Sequence, residues 1–284
     1  VLKPSPYTPN VGRVLEQMIR DAFAEEYVGV VQGNREVNAA LFEERFDLIF
    51  LTGSPELGRV AMSAAAQNLT PVVLELGGKS PCIVDDDADI ALAARRIAWG
   101  KCLNAGQTCI APDYVLVHHS RKQELVEALA REFKALLGDN PQERRYIEPT
   151  VIDGVTPASA VMKEEIFGPI LPILTFGTTL EAVYYVRMHE KPLALYYFGS
   201  KRRAREVVRY TSAGGTCIND TIMHIANENV PFGGVGNSGM SAYHGRDSFL
   251  AFSHRRAIVS TPTWIDLPFR YMPYRWWKVV KKIL

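Results

Sequence analysis

The sequence has 284 residues, of which 47% are hydrophobic and 22% charged, and 32 basic against 31 acidic side chains leave a formal net charge of +1. This balance is typical of a globular protein of one or two domains, and it excludes collagen, coiled coils and general disorder. A chain with almost no net charge has no overall attraction to polyanions, so we expect no nucleic-acid partner.

Apolar runs typical of strands alternate with amphipathic stretches typical of helices along most of the chain. In chain order, the predicted elements are a helix at 11–24, strands at 27–31 and 47–52, a helix at 55–68, a strand at 71–76, a helix at 89–102, a strand at 114–117, a helix at 122–137, and strands at 169–176 and 193–198 around a further helix. Because alternating strands and helices favour parallel pairing, the pattern predicts an α/β fold. A polar stretch at 138–150 indicates either a linker or a deletion.

The strand at 47–52 leads through Thr52, Gly53 and Ser54 into the next helix, with Ser54 as its expected N-cap. Such a helix start offers free backbone N–H groups to an anion such as the pyrophosphate of a dinucleotide, although an ordinary strand-to-helix turn has the same pattern. A formal G-x-G-x-x-G match near the end of the chain joins no strand to a helix, so we exclude it as a phosphate loop. Its glycines are Gly234, Gly236 and Gly239.

Glu75 places a carboxylate at the end of an apolar strand, next to glycines that allow another backbone or a ligand to come close. Burial there would raise the pKa of the carboxyl group, which suits a general base that works near neutral pH. The alternative is a glutamate that ends a strand at the protein surface.

Cys109 ends a loop of small and polar residues, Asn104-Ala-Gly-Gln-Thr-Cys109. A nucleophilic thiolate needs such an open and polar approach, whereas most single cysteines are inert core residues. The other cysteines lie in apolar or helical surroundings, and we interpret them as inert: Cys82, Cys102 and Cys217. Four cysteines are too few for a secreted disulfide framework, which indicates reduced thiols and a cytoplasmic protein.

We expect no metal site. Four aspartates precede the predicted helix at 89–102, where the helix dipole favours negative charge, so they are interpreted as a solvated surface. These aspartates are Asp85, Asp86, Asp87 and Asp89. The six histidines also lack the paired spacing of metal ligands.

Four motifs, in this order, resemble those of the aldehyde dehydrogenase superfamily. They are Leu74-Glu-Leu-Gly-Gly-Lys-Ser-Pro81, Asn104-Ala-Gly-Gln-Thr-Cys109, Glu164-Glu-Ile-Phe-Gly-Pro169 and Pro231-Phe-Gly-Gly-Val-Gly-Asn-Ser-Gly239. Segments at 95–101, 191–195, 243–245 and 252–256 resemble the class 3 branch, which includes fatty and aromatic aldehyde dehydrogenases. The resemblance implies a partial Rossmann-type cofactor domain, an α/β catalytic domain and a late oligomerisation strand.

The resemblance implies oxidation of a long-chain aliphatic or aromatic aldehyde to the acid with NAD or NADP. Cys109 would form a thiohemiacetal and then a thioester, and Glu75 would be the general base for hydrolysis of the thioester. The implied cofactor-binding residues are Lys3 for the adenosine ribose, Thr52, Gly53 and Ser54 for the pyrophosphate, and Glu165 and Phe167 for the nicotinamide ribose. Pro6 stands where NAD-specific members carry a glutamate, so NADP should be tolerated beside NAD.

The resemblance also divides the chain. Residues 1–75 correspond to a cofactor-binding domain that lacks its N-terminal part, and 76–250 to a catalytic domain with an apparent deletion near 142–143. Residues 251–262 correspond to an oligomerisation strand, which implies a homodimer. Because the missing N-terminal part would supply neighbouring strands and the oxyanion amide, we expect the chain as it stands to bind dinucleotide weakly and turn over slowly.

Residues 263–284 form a basic tail without an acidic residue after 273. As a helix, its last twelve residues would separate tryptophans and aliphatic side chains from lysines and an arginine, as in helices that lie on a membrane surface. A helix docked over a substrate entrance would show the same pattern. Two alternative functions remain, a non-catalytic fragment that acts through its oligomerisation surface and a cofactor-independent thiol esterase.

Overall fold

The computed structural model describes residues 1–137, 146–266, 270–272 and 281–282. The helices are α1 (Pro9–Ala22), α2 (Arg35–Glu43), α3 (Pro55–Asn68), α4 (Ile90–Cys102), α5 (Lys122–Leu137), α6 (Thr179–Arg187), α7 (Lys201–Tyr210) and α8 (Gly245–Ala251). The strands are β1 (Ile49–Gly53), β2 (Val72–Leu76), β3 (Pro81–Val84), β4 (Tyr114–His118), β5 (Thr150–Ile152), β6 (Ile170–Phe176), β7 (Ala194–Phe198), β8 (Gly215–Ile218) and β9 (Gly239–Met240). The α/β fold class predicted from the sequence is confirmed.

A six-stranded parallel sheet in the order β5-β6-β4-β3-β7-β8 forms the larger core. Its two faces carry separate apolar clusters, one shared with α4 and α5 and the other with α6 and α7. Helices on both faces are what a parallel sheet requires, because its strands are apolar on both sides. β3, which the sequence analysis did not identify, lies in the middle and is buried throughout.

A three-stranded sheet lies earlier in the chain, with β1 parallel to β2 and β9 antiparallel to β2. α3 covers it through Ala61 and Ala65, and begins as predicted, with the Ser54 hydroxyl accepting a hydrogen bond from the Leu57 N–H at 3.3 Å. Among the described residues no strand pairs with the outer side of β1, so that side is an open edge.

The predicted strand at 27–31 is wrong. Only Val30 pairs there, in a single parallel bridge with Leu2, because among the described residues no strand lies beside this segment to extend the bridge into a ladder.

The polar stretch at 138–150 ends at the first residue of β5, and its residues 138–145 lie outside the described part of the chain.

Asp85 corrects the expectation of a solvated acidic surface, since its side chain is 1% exposed. Its carboxylate accepts hydrogen bonds from the Tyr197 hydroxyl at 2.7 Å and the Thr179 hydroxyl at 2.9 Å, and pairs with Arg203 at 3.1 Å. These donors replace water at the end of β3. Asp89 does serve the start of α4, as the dipole argument expects, by accepting a first-turn N–H at 3.0 Å.

Contacts divide the chain into one compact unit at Val1–Phe252 and a second at Ser253–Leu284. The predicted boundary after residue 75 falls inside β2, and β9, from the segment assigned to the catalytic domain, pairs with β2. The predicted oligomerisation strand at 251–262 begins at the end of α8, and 253–262 form no strand within the single chain, because no other described segment pairs with them. Most of the tail at 263–284 lies outside the described residues, and among those described no helix is long and apolar enough to cross a membrane.

Candidate active site

The carboxyl ends of β1 and β2 place two predicted site segments side by side. Thr52 is in register with Glu75, and Gly53 with Leu76, so the turn at 52–54 and the candidate base share one edge of the sheet. In open α/β sheets, this edge is where ligands bind. The edge therefore suits a dinucleotide whose pyrophosphate lies at the start of α3.

The glycine-rich segment at 231–239 packs against the strand that carries Glu75. Gly239 pairs with Glu75, and a Cβ at Gly239 would lie 2.3 Å from the Leu74 carbonyl oxygen. Gly236 and Gly239 also bridge each other in a tight hairpin. These glycines serve close backbone packing, which agrees with their exclusion as a phosphate loop.

The loop before Cys109 has an unusual backbone. Asn104, Ala105 and Gly106 have φ values of 50°, 55° and 76°, which places three consecutive residues in the left-handed region. Gly106 also lies against the Gly168 carbonyl, where an added Cβ would be 2.3 Å from the oxygen. The buried Tyr196 hydroxyl holds the far side of the loop by donating to the Ile110 carbonyl at 2.5 Å.

Cys109, Glu75 and Glu165 meet at this loop. Burial raises the pKa of the Cys109 thiol, and the charges of Glu75 and Glu165 beside it raise that pKa further. Glu75 is only 4% exposed, and its Oε1 atom has no hydrogen-bond partner in the described structure. The alternative that Glu75 is a glutamate at the protein surface is therefore wrong. A buried carboxylate oxygen beside a thiol is placed to accept a proton.

Glu165 lies across the glycines that follow β2. A Cβ at Gly77 would be 2.2 Å from Glu165 Oε2, so only glycine leaves room for this carboxylate. Burial raises the pKa of Glu165 to about 7, although a hydrogen bond from the Gly78 N–H partly lowers it. Phe167, two residues later, is 50% exposed and has a φ of 47°.

Three residues of the site were not identified from the sequence. The Lys79 ammonium binds the Asp113 carboxylate, and both hold the loop that carries Glu165. Tyr243 lies near the reacting groups, since burial and the charges of Glu75 and Cys109 raise its pKa. Lys79 stands inside the Leu74–Pro81 motif, and that position is the one signal that pointed to it.

Other candidates stand apart from these groups. The Lys3 ammonium donates to the Pro4 carbonyl at 2.7 Å, and within the described residues no hydrogen bond joins it to Glu75 or Cys109. The Asn104 and Gln107 amides bind backbone carbonyls of their own loop, at 3.0 and 3.2 Å, so neither is directed toward Cys109. The remaining cysteines have thiol pKa values raised chiefly by burial, which fits the inert role assigned to them: Cys82, Cys102 and Cys217.

The aldehyde dehydrogenase family pattern matches residues 1–145 and 136–258. The 4,4'-diaponeurosporen-aldehyde dehydrogenase of Staphylococcus aureus is 42% identical over 312 residues, covering 97% of this chain and 68% of that protein. The dimeric NADP-preferring aldehyde dehydrogenase of Rattus norvegicus is 42% identical over 294 residues, covering 91% of this chain and 65% of that protein.

The substrate-bound AldH structure of Staphylococcus aureus is similar with a TM-score of 0.95 and 41% identity, covering 99% of this chain and 70% of that one. This chain spans about two thirds of the length of the curated relatives it matches. Since the family pattern covers most of the sequence and these relatives align with more than nine-tenths of it, the chain belongs to the aldehyde dehydrogenase family.

Proposed function

We propose that this chain carries the catalytic site of an NAD(P)-dependent oxidoreductase that converts a long-chain aliphatic or aromatic aldehyde to its carboxylic acid. The meeting of the Cys109 thiol with the carboxylates of Glu75 and Glu165 carries the proposal. A nucleophile and a general base are the groups that covalent attack on a carbonyl and hydrolysis of a thioester require. Homology to named aldehyde dehydrogenases supports the reaction class.

Cys109 attacks the carbonyl carbon and loses its proton to Glu75, a buried carboxylate beside the thiol. The resulting oxyanion is stabilised by the Cys109 backbone N–H, which lies beside its own thiol and favours negative charge there. NAD(P)⁺, held by the turn at 52–54 and by Glu165, would supply the hydride acceptor for the carbon attached to sulfur. Glu75 then releases that proton to solvent and removes another from water as the water attacks the thioester. The carbon–sulfur bond breaks, and Glu75 returns the proton to the departing Cys109 thiolate, which gives the acid and the thiol.

Three features of this structure fit a dinucleotide. The turn at 52–54 opens into a 14-residue helix whose first N–H groups attract phosphate, and Gly53 adds no side chain there. Glu165 offers a carboxylate to ribose hydroxyls, and the exposed ring of Phe167 offers an apolar surface beside it. Pro6 brings no negative charge against a 2′-phosphate, which supports use of NADP as well as NAD.

Substitution of the two reacting residues tests this function. Cys109→Ala is expected to abolish both aldehyde-dependent NAD(P)H formation and hydrolysis of an activated ester. Glu75→Gln is expected to slow both the first burst of NAD(P)H and the later deacylation, each by about 10²-fold or more, because the thiol and the attacking water lose their shared base. Cys102→Ala, which changes a cysteine of the same helix and loop region, is the matched control and should retain both activities.

The same assays separate the alternatives. Multiple turnover at the wild-type rate in Glu75→Gln would exclude Glu75 as the base. Ester hydrolysis without any aldehyde-dependent NAD(P)H formation would indicate a thiol esterase, and the absence of both activities a non-catalytic fragment.

We also propose that two copies of the chain associate through residues 251–262. One relative is named as dimeric, and this segment carries Ile258 and Val259, which are 79% and 87% exposed in the single chain.

We further propose that the tail contacts an anionic membrane surface, which the basic and apolar pattern of its sequence supports. Cosedimentation with anionic liposomes tests that contact, and equal binding with and without residues 270–284 would contradict it.

A further inference from the structure

Lys79, three residues after the end of β2, forms a compact set of contacts with the segment before Glu165. Its ammonium binds the Asp113 carboxylate and donates to the carbonyl oxygens of Val161 at 3.0 Å and Glu164 at 2.7 Å. Three acceptors match the three N–H donors of an ammonium group. The Lys79 side chain is 18% exposed and that of Asp113 is 4% exposed, so little water competes for these bonds.

Asp113 extends the contact to the other side of Glu165. Its second carboxylate oxygen accepts a hydrogen bond from the Ile166 N–H at 2.9 Å, and its own N–H donates to the Ser80 carbonyl at 2.8 Å. The chain is therefore held immediately before Glu165, through the carbonyl of Glu164, and immediately after it, through Ile166. A charged pair fixes the backbone on both sides of one functional carboxylate.

The same segment receives the Glu165 side chain. Gly77 lies under the carboxylate, Gly78 directs its N–H toward it, and Lys79 holds the preceding carbonyl. These residues follow β2 without a break, and β2 carries Glu75. The position of Glu165 relative to Glu75 and Cys109 is thus set by consecutive residues of one strand end.

We propose that Lys79 and Asp113 are positioning residues that hold the Glu165 carboxylate beside Cys109 and at the cofactor side of the site. The proposal rests on the proposed function only for the role of Glu165 as a ribose ligand. A buried ion pair contributes little net stability, because desolvation offsets its attraction, whereas it fixes the geometry of the groups it binds. Removing Lys79 frees the Glu164 carbonyl before Glu165, and removing Asp113 frees the Ile166 N–H after it.

The first test uses the thiol as a reporter of where Glu165 lies. Alkylation of Cys109 by iodoacetamide, followed across pH by mass spectrometry of the Cys109 peptide, measures the thiolate fraction. Glu165→Gln removes a negative charge beside the thiol, so the alkylation rate at pH 8.5 should rise about threefold, which corresponds to about half a pKa unit. Lys79→Met should raise the rate in the same direction, because the carboxylate leaves its position.

The double variant shows whether Lys79 affects the Cys109 thiol through the position of Glu165 or independently of Glu165. If Lys79 acts through Glu165, Lys79→Met with Glu165→Gln should alkylate no faster than Glu165→Gln alone. Rate increases that multiply, or an unchanged rate in folded Lys79→Met, would overturn the proposal. Should Lys79→Met fail to fold by circular dichroism, Asp113→Asn takes its place, with the same outcomes expected.

Lys122→Met is the matched control. Lys122 also forms an ion pair, with Asp153 at an N–O distance of 2.6 Å, but among the described residues neither of the two contacts the site. The variant should leave the alkylation profile unchanged. Binding of NAD⁺, measured by saturation-transfer NMR, is the second arm, in which Lys79→Met and Glu165→Gln should each reduce transfer to the nicotinamide-ribose protons. If wild type binds no NAD⁺ or NADP⁺, the proposed cofactor use fails, while the alkylation cycle still supports or overturns the positioning role.

Discussion

The protonation state of the Cys109 thiol depends on the burial and the charges around it. Cys109 lies beside two carboxylates, and burial with these charges raises the thiol pKa, which keeps the resting thiol protonated. A protonated thiol is a weak nucleophile and resists unwanted alkylation or oxidation. Transfer of its proton to Glu75 at the moment of attack therefore matters more than the thiolate population at rest.

Glu165 should make the stability of the protein depend on pH. Burial raises the pKa of its carboxyl group from 4.5 to about 7 in the folded state, so the folded protein holds this proton more tightly than the unfolded chain. Stability from this group is complete below pH 4.5 and is lost as the pH rises through 7. With allowance for partial exposure, we expect a loss of about 1–2 kcal/mol.

Urea unfolding at pH 5 and pH 8 measures this loss. Glu165→Gln should remove that part of the decrease and should be more stable than wild type at pH 8. Glu164→Gln, at the exposed neighbouring position, is the control and should keep the wild-type pH dependence. An equal decrease in wild type and Glu165→Gln would show that Glu165 titrates normally.

Among the elements, the loop between α4 and Cys109 departs most from local preference. A non-glycine residue in the left-handed region costs about 1–2 kcal/mol, and Asn tolerates that region better than Ala. Ala105, at a φ of 55°, is therefore the strained position, and its side chain is exposed. The contacts of Gly106 with Gly168 and of Tyr196 with Ile110 are what hold this conformation.

Ala105→Gly should relieve this strain. We expect an increase of about 0.5–1 kcal/mol in the free energy of unfolding, because the larger entropy of the unfolded glycine chain offsets part of the gain. Chemical denaturation measures the change. Ala130→Gly, at an exposed position inside α5, is the comparison and should destabilise by about 1 kcal/mol. A loss of stability in Ala105→Gly similar to that in Ala130→Gly would contradict the strain.

Across the described part of the molecule, two of the regions that expose apolar side chains bear on association between copies. Four residues spaced as one helical stripe on α1 are between 36% and 60% exposed: Val11, Val14, Leu15 and Met18. Ile258 and Val259 are exposed in the later segment. Exposed apolar surface favours association, because burial removes it from water.

We predict that the segment around Ile258 and Val259 is the surface that joins two copies. Ile258→Asp combined with Val259→Asp should shift sedimentation velocity from dimer to monomer, since two charges would be buried without partners. Val14→Asp combined with Met18→Asp, on α1, is the matched control and should leave the dimer intact. The prediction is wrong if the α1 variant dissociates and the later one does not.

Features that depend on neighbouring residues could be predicted from the sequence. The helices at 55–68 and 122–137 were predicted with their observed bounds, because caps and apolar periodicity are local signals. The motif order likewise indicated the family and singled out Glu75 and Cys109, and the structure brings these two residues together.

Features that depend on contacts between distant residues could not be predicted in this way and are seen only in the folded chain. Asp85 is buried because donors from α6, β7 and α7 surround it, and the segment at 27–31 forms no strand because it lacks a partner ladder. Lys79 meets Asp113, 34 residues along the chain, only when β3 and β4 lie side by side in the sheet. Local sequence preferences cannot predict these contacts, because the free energy that fixes them comes from desolvation and packing in the folded chain.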